Sequence, residues 1–229
     1  MSGGHDDDDH HDHDDANDKF NVIEGTPYDD DLVGTKKDDL MVGFEGDDHL
    51  VSGKGDDILV GNEGNDSLWG QWDDDKLFGG EGNDSLAGGT DDDKLFGGAG
   101  DDRLTDGLSE GELYGGDGSD RIYGGADDDL LVGGLGRDFL NGGAGNDVFK
   151  YLSAEDSLVG GQNRDSISDF TVGEDKIETS ATLVSTQVVG IRPITLVNLD
   201  YTGDGATDSQ IQLVGNIAFT ASDIIAPSS

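Results

Sequence analysis

GGEGNDSLA (residues 79–87) and its near-copy GGAGDDRLT (residues 97–105) hold the key to the fold. Each begins with six residues of small or turn-forming type and ends with three in which one apolar residue stands between two variable ones. The first six suit a tight turn; the last three suit a short strand with one inward side chain. The same nine-residue frame runs without insertion over residues 25–150, giving fourteen units. A period this strict marks a stack of coils rather than an ordinary packed domain.

In that frame the sixth place is aspartate at Asp30, Asp39, Asp48, Asp57, Asp66, Asp75, Asp84, Asp93, Asp102, Asp120, Asp129, Asp138 and Asp147, and only Gly111 departs. The eighth place is always apolar: Leu32, Met41, Leu50, Leu59, Leu68, Leu77, Leu86, Leu95, Leu104, Leu113, Ile122, Leu131, Leu140 and Phe149. Two units make one coil, so residues eighteen apart should stack at a strand spacing of ~4.8 Å, seven coils reaching ~34 Å. Ile23 falls where an inward residue would sit in a preceding, incomplete turn that caps the open end.

Glycine at places one, two and four is expected to supply positive φ and to leave backbone carbonyls accessible. The sixth-place carboxylate would then close the turn around a hard cation, and oxygen ligands of this kind select calcium over zinc or copper. On one edge the fourth place reads Tyr28, Gly46, Gly64, Gly82, Gly100, Gly118 and Gly136; on the other it reads Lys37, Gly55, Asp73, Asp91, Ser109, Asp127 and Gly145. The expected metal-site residues are the thirteen sixth-place aspartates, the fourth-place Asp73, Asp91 and Asp127, and the glycines from Gly46 to Gly136 on the first edge. A uniform file of ions is expected along Asp48, Asp66, Asp84, Asp102, Asp120 and Asp138. The opposite edge should show altered coordination near Asp75 and Asp93, with its weakest or empty positions on either side of Gly111.

The composition agrees with this only because of the period. A chain of 229 residues with 39 glycines, a formal charge of -39 and 32% hydrophobic residues would otherwise read as disordered. Disorder, however, gives no reason for an apolar residue at every ninth place. Fourteen inward residues cannot offset both chain entropy and the mutual repulsion of the carboxylates, so the metal-free chain is expected to be largely disordered and calcium to be a folding ligand. There is no cysteine to staple the fold. No apolar run approaches a membrane span, and the N-terminus lacks the basic and apolar regions of a cleavable signal peptide. So acidic a chain should repel nucleic acid and anionic lipid.

The units GGEGNDSLA, GGAGDDRLT, GGDGSDRIY and GGAGNDVFK resemble the repeats-in-toxin, or haemolysin-type, calcium-binding family, whose consensus is GGxGxDxUx. The resemblance implies an all-β, right-handed parallel β-roll with calcium ions between successive turns on both edges. It also implies type I secretion with a C-terminal signal, and so a secreted, extracellular protein. Past residue 150 the period is expected to end. The stretch NDVFKYLSAEDSLVGGQNRDSISDFTVGEDKIETS, above all DSISDF and GEDKI, is similar to the region that follows the repeats in serralysin-type proteases and alginate epimerase modules. LDYTGDGATDSQIQLVG and ASDIIA resemble that region's final strands and export signal. The expected division is a disordered His/Asp-rich tail over 1–19, the roll over 20–150, and a small C-terminal β cap with the secretion signal region over 151–229.

Other features read more plainly. His5, His10, His11 and His13 lie among aspartates and are expected to form a solvated acidic tail. Asp200, Thr202, Asp204, Gly205 and Asp208 begin an EF-hand spacing, but Ile211 stands where a bidentate Glu is needed, so a hairpin turn is expected. GLSEG at Gly107–Gly111 matches the G-x-S-x-G elbow, yet it falls inside the repeat, and no histidine follows His49. Ser109 is therefore expected to be a turn residue; without H-E-x-x-H either, no enzyme is expected. On the outward places, Val42, Val60, Phe78, Phe96, Tyr114 and Val132 lie on one sheet near Lys76 and Lys94, with Arg103 and Arg121 on the other. They read as strand-favouring residues, the alternative being a face for an anionic polysaccharide such as alginate. The expected function is a secreted calcium-binding module that folds on calcium and supports export. A calcium-dependent polysaccharide-binding module, or the non-catalytic C-terminal part of a larger secreted enzyme, is the alternative.

Overall fold

The computed structural model describes residues 20–157, 164–189, 194–215 and 217–227. The His/Asp-rich tail lies outside them. Every unit of the repeat yields one short strand beginning at or just after its sixth place, and successive strands alternate between two sheets. One sheet stacks Asn21–Glu24, Asp39–Glu45, Ile58–Glu63, Lys76–Glu81, Lys94–Ala99, Glu112–Gly118, Leu130–Gly136 and Val148–Tyr151. The other stacks Asp31–Val33, His49–Lys54, Ser67–Trp72, Ser85–Gly89, Arg103–Gly107, Arg121–Ala126 and Phe139–Ala144.

The strands of the repeats pair in parallel, and the register is eighteen residues, as in Leu77↔Leu95 and Leu68↔Leu86. The chain is a parallel β-roll. Its core is the ladder of eighth-place side chains, which lie between the sheets and are completely buried from Met41 to Phe149. Alternation explains this, because of places seven, eight and nine the middle side chain is the one that points inward. Ile23 pairs with Met41 and packs against the end of the ladder, while Tyr28 and Val33 beside it are exposed.

Past residue 150 the period is interrupted rather than ended, which corrects the sequence expectation. Ile167 stacks on Leu140, twenty-seven residues away, and Ile177 stacks on Phe149, twenty-eight away. Both new strands, Ser166–Ile167 and Lys176–Thr179, continue the two sheets in parallel. Ile224–Ile225 adds a further parallel strand to the first sheet. Ser209–Val214 does the same on the second, which then closes with Ile194–Asp200 and Thr182–Val189 as an antiparallel trio. Phe170 packs between Phe149 and Phe219 and covers the end of the core.

Candidate metal centres along the turn edges

The turns place one carboxylate per unit inside the roll. Asp84 shows the pattern: its Oδ1 accepts the backbone N–H of Asp66, one coil back, at 2.8 Å. The same bond links Asp48 to Asp66, Asp84 to Asp102, Asp102 to Asp120 and Asp120 to Asp138. On the opposite edge it links Asp39 to Asp57, Asp57 to Asp75 and Asp75 to Asp93, and then Gly111 to Asp129 and Asp129 to Asp147. One oxygen of each carboxylate thus answers a turn amide that no strand could reach.

The second oxygen is a different matter. Oδ2 of Asp48, Asp66, Asp84, Asp102, Asp120 and Asp138 on one edge is buried without a hydrogen-bond partner, as is Oδ2 of Asp57, Asp75, Asp93 and Asp129 on the other. A buried anionic oxygen without a partner is costly unless a proton or a cation neutralises it. Burial, reinforced by neighbouring carboxylates, pushes Asp66 and Asp84 up to about 6, Asp102, Asp120 and Asp129 to about 7, and Asp75 to about 8. At the open end the chain satisfies itself, for Asp30 and Asp39 accept the N–H and hydroxyl of Thr26 and Thr35.

Glycine serves two purposes in these turns, only one of them foreseen. Along most of the roll places two and four take positive φ, as at Gly80 (φ 123) and Gly82 (φ 128), though Ser109 at place four does not. Place one does not. A side chain at Gly79 would collide with Asp84 Oδ2 and lie 2.6 Å from the carbonyl oxygen of Gly97 in the next coil. Place one is glycine because the sixth-place carboxylate and that carbonyl already fill the space. The carbonyls of Gly46, Gly64, Gly82, Gly100 and Gly118 likewise press on the fourth-place glycine of the following coil, as far as Gly136, and so lie between coils.

Among the described residues no three His, Asp or Glu side chains converge on a point. A cation here would take one or two carboxylate oxygens and complete its shell with backbone carbonyls, a donor set suited to calcium. The unpartnered Oδ2 atoms and the inter-coil carbonyls fit such an ion. Asp73, Asp91 and Asp127 adopt the left-handed backbone expected of them, with φ 71, 74 and 67, but their side chains are exposed. Asp73 accepts the N–H of Gly55, and Asp91 that of Asp73. A further ladder runs along place five, where Asp47, Asn65, Asn83 and Asp101 each accept the following coil's amide.

Among the buried carboxylates of the described residues that the sequence reading did not place, three bear on the turn edges. Asp165 and Asp175 accept the N–H of Asp138 and Asp147 and extend both edges past the interruption. Their signals are GGQNRDSIS (160–168) and FTVGEDKIE (170–178), which carry Asp and Ile at the sixth and eighth places. Burial, with Asp138 beside it, raises Asp165 well above the usual carboxylate range. The third is Asp106, at place one of the unit that holds Gly111. It is 2% exposed, and neither of its oxygens has a partner. Burial, with Asp93 and Asp129 adding to it, pushes Asp106 up to about 8.

The remaining candidates are engaged in local structure. Ser109 Oγ accepts the N–H of Asp91 at 3.0 Å, and His49, the histidine among the described residues, lies several coils away. Asp200 accepts the N–H groups of Gly203 and Gly205, and Asp208 those of Tyr201 and Thr202, which makes this loop the hairpin turn between antiparallel strands. On the first sheet's outer face Phe78, Phe96 and Tyr114 stack at 4.9 Å between ring centres, with Lys94 paired to Glu112.

The family model for the peptidase M10 serralysin C terminal matches residues 21–192. Among solved structures, the AlgE6R3 subunit of the Azotobacter vinelandii mannuronan C5-epimerase is 30% identical, covering 56% of this chain and 78% of its own, with a TM-score of 0.47. The AlgE6R2 subunit of the same organism's mannuronan C5-epimerase is 20% identical over 90% of this chain and 92% of its own, with a TM-score of 0.32. No curated protein matches the sequence.

Proposed function

The chain belongs to the peptidase M10 serralysin C-terminal family, and on that premise we propose that it is a secreted, non-catalytic module that folds on binding calcium along both turn edges. The observation that carries the reading is the file of buried, unpartnered Oδ2 atoms from Asp48 to Asp138 and from Asp57 to Asp129. When bound, calcium supplies the positive charge those atoms lack. The sixth-place aspartates would hold it, with the carbonyls of glycines such as Gly64 and Gly82 bordering the space between coils. Oδ1 of each aspartate keeps its structural bond to the preceding coil, so the same residue serves both the backbone and the ion. In a cell interior poor in calcium the chain stays unfolded and fit for export through a type I secretion channel; outside, calcium folds it. The test is circular dichroism of the full chain during a calcium titration. Cooperative gain of β structure, with a midpoint around the ~0.1–1 mM of extracellular modules, is the expected result. Full β structure in excess chelator at neutral pH would contradict it.

A second reading, calcium-dependent binding of an anionic polysaccharide, is supported by the aromatic stack of Phe78, Phe96 and Tyr114. Lys94 beside it is paired with Glu112, which leaves that face less cationic than its sequence suggests. Retention on immobilised alginate in calcium, lost in chelator, would favour this reading over a purely structural role.

A further inference from the structure

Coil by coil, the interior of the second turn edge holds one carboxylate between places one and six. In the units 70–78, 88–96 and 124–132, place one is glycine, and a side chain there would collide with the sixth-place carboxylate of Asp75, Asp93 or Asp129. The unit DGLSEGELY, 106–114, has the two residues exchanged. Place six is Gly111, and a side chain there would lie 2.5 Å from Cγ of Asp106 and 2.9 Å from its Cβ. The Asp106 side chain therefore fills the region that the sixth-place side chain fills in its neighbours, entering it from the opposite end of the turn.

Two observations separate this from a chance acidic residue. Asp106 is 2% exposed with both oxygens unpartnered, whereas its neighbours each use Oδ1 for the backbone ladder. Asp93 and Asp129, the sixth-place residues of the units one coil to either side, flank it in the stack, for the strands of their units, Lys94–Ala99 and Leu130–Gly136, both pair with Glu112–Gly118. We infer that Asp106 is a metal ligand that replaces the carboxylate missing at Gly111, so that the file of calcium ions continues through this unit. On this reading the positions beside Gly111 are filled, where place-by-place reading of the sequence expects them weak or empty. It rests on the calcium reading above.

The test counts calcium ions per chain at saturation, by native mass spectrometry and equilibrium dialysis, in the full chain and in Asp106→Gly, Asp106→Asn and the exchange variant Asp106→Gly/Gly111→Asp. Gly111 does not have positive φ, so aspartate fits its backbone. Both single variants should bind at least one ion fewer, and the exchange variant should recover the full number. Should Asp106→Gly fail to fold in calcium, rescue of folding and of the ion count by the second change becomes the deciding comparison. An unchanged count in the single variants, or no recovery in the exchange variant, overturns the inference while the calcium reading stands. If the unaltered chain takes up no calcium, the calcium reading itself fails, and this inference with it.

Discussion

The backbone N–H of Asp66 donates to Oδ1 of Asp84 at 2.8 Å, and Oδ2 of the same carboxylate is buried with no partner. Asp84→Asn separates the two oxygens' roles, because the amide keeps an acceptor for Asp66 and removes the charge. In calcium-free buffer the variant should show at least as much β signal as the parent. In saturating calcium it should be less stable by ~1–3 kcal/mol, the scale of a lost interaction at a buried charged group. Equal destabilisation in both conditions would mean that the carboxylate acts only through the ladder.

Acid should substitute for calcium. A carboxylate in the unfolded chain titrates near 3.9, whereas Asp84, Asp102 and Asp75 in the folded chain are raised to about 6, 7 and 8. Between roughly pH 4 and 8 the metal-free folded chain therefore binds more protons than the unfolded one, and its stability falls as pH rises through that window. Circular dichroism in calcium-free buffer should show more β structure at pH 5 than at pH 8. The calcium midpoint should move to higher concentration as pH falls, because protons compete for the same oxygens. More β structure at pH 8 than at pH 5 without calcium would reverse the sign and reject the argument.

Gly79 and Gly173 are glycine for different reasons, and alanine tells them apart. At Gly79 the added methyl meets Asp84 Oδ2 and the Gly97 carbonyl; at Gly173 it meets nothing within 4 Å, but φ is 94. Gly173→Ala should cost about 1 kcal/mol, the strain of a left-handed backbone. Gly79→Ala should cost ~1–3 kcal/mol by overpacking, and should also weaken calcium binding by displacing the carboxylate. Thermal unfolding in calcium, paired with calcium titration, reads both quantities. Equal effects on calcium affinity would remove the distinction.

Deleting residues 216–229 should abolish export through a type I channel while the roll still gains β structure with calcium. The structure adds a cost to that truncation. Phe219, which packs on Phe170, and the strand Ile224–Ile225, which pairs with Ile177 and Glu178, both go with it. The truncated chain should therefore need more calcium to fold than the full one. Secretion assays in a strain carrying the channel check the first part, and undiminished export would reject it.

The repeat was legible because each place has a single physical task. Leu68 and Leu86 had to face inward and Asp66 and Asp84 had to lie in turns, whatever the details, and two units per coil fixed the register. What was hidden depended on neighbours one coil away. Gly111 read as a missing ligand because a place-by-place reading does not show that Asp106, five residues earlier, reaches the same space. Asp165 and Asp175 were hidden because residues inserted after the unit ending at Lys150 displace the frame, though the local pattern survives. The sequence also does not say which of two properties a glycine supplies: Gly79 gives room, and Gly80 gives φ.

The exchange between Asp106 and Gly111 leaves a mark on the backbone as well. Gly111 has no side chain to accept the N–H of Asp93, so the chain of turn bonds that runs from Asp39 to Asp93 starts afresh from Gly111 to Asp129. That rung is a gap in the turn edge alone: across it the strands of Lys94–Ala99 and Glu112–Gly118 still pair, Lys94 meets Glu112 and Phe96 stacks on Tyr114, so the sheet face carries between these two coils what the edge elsewhere shares.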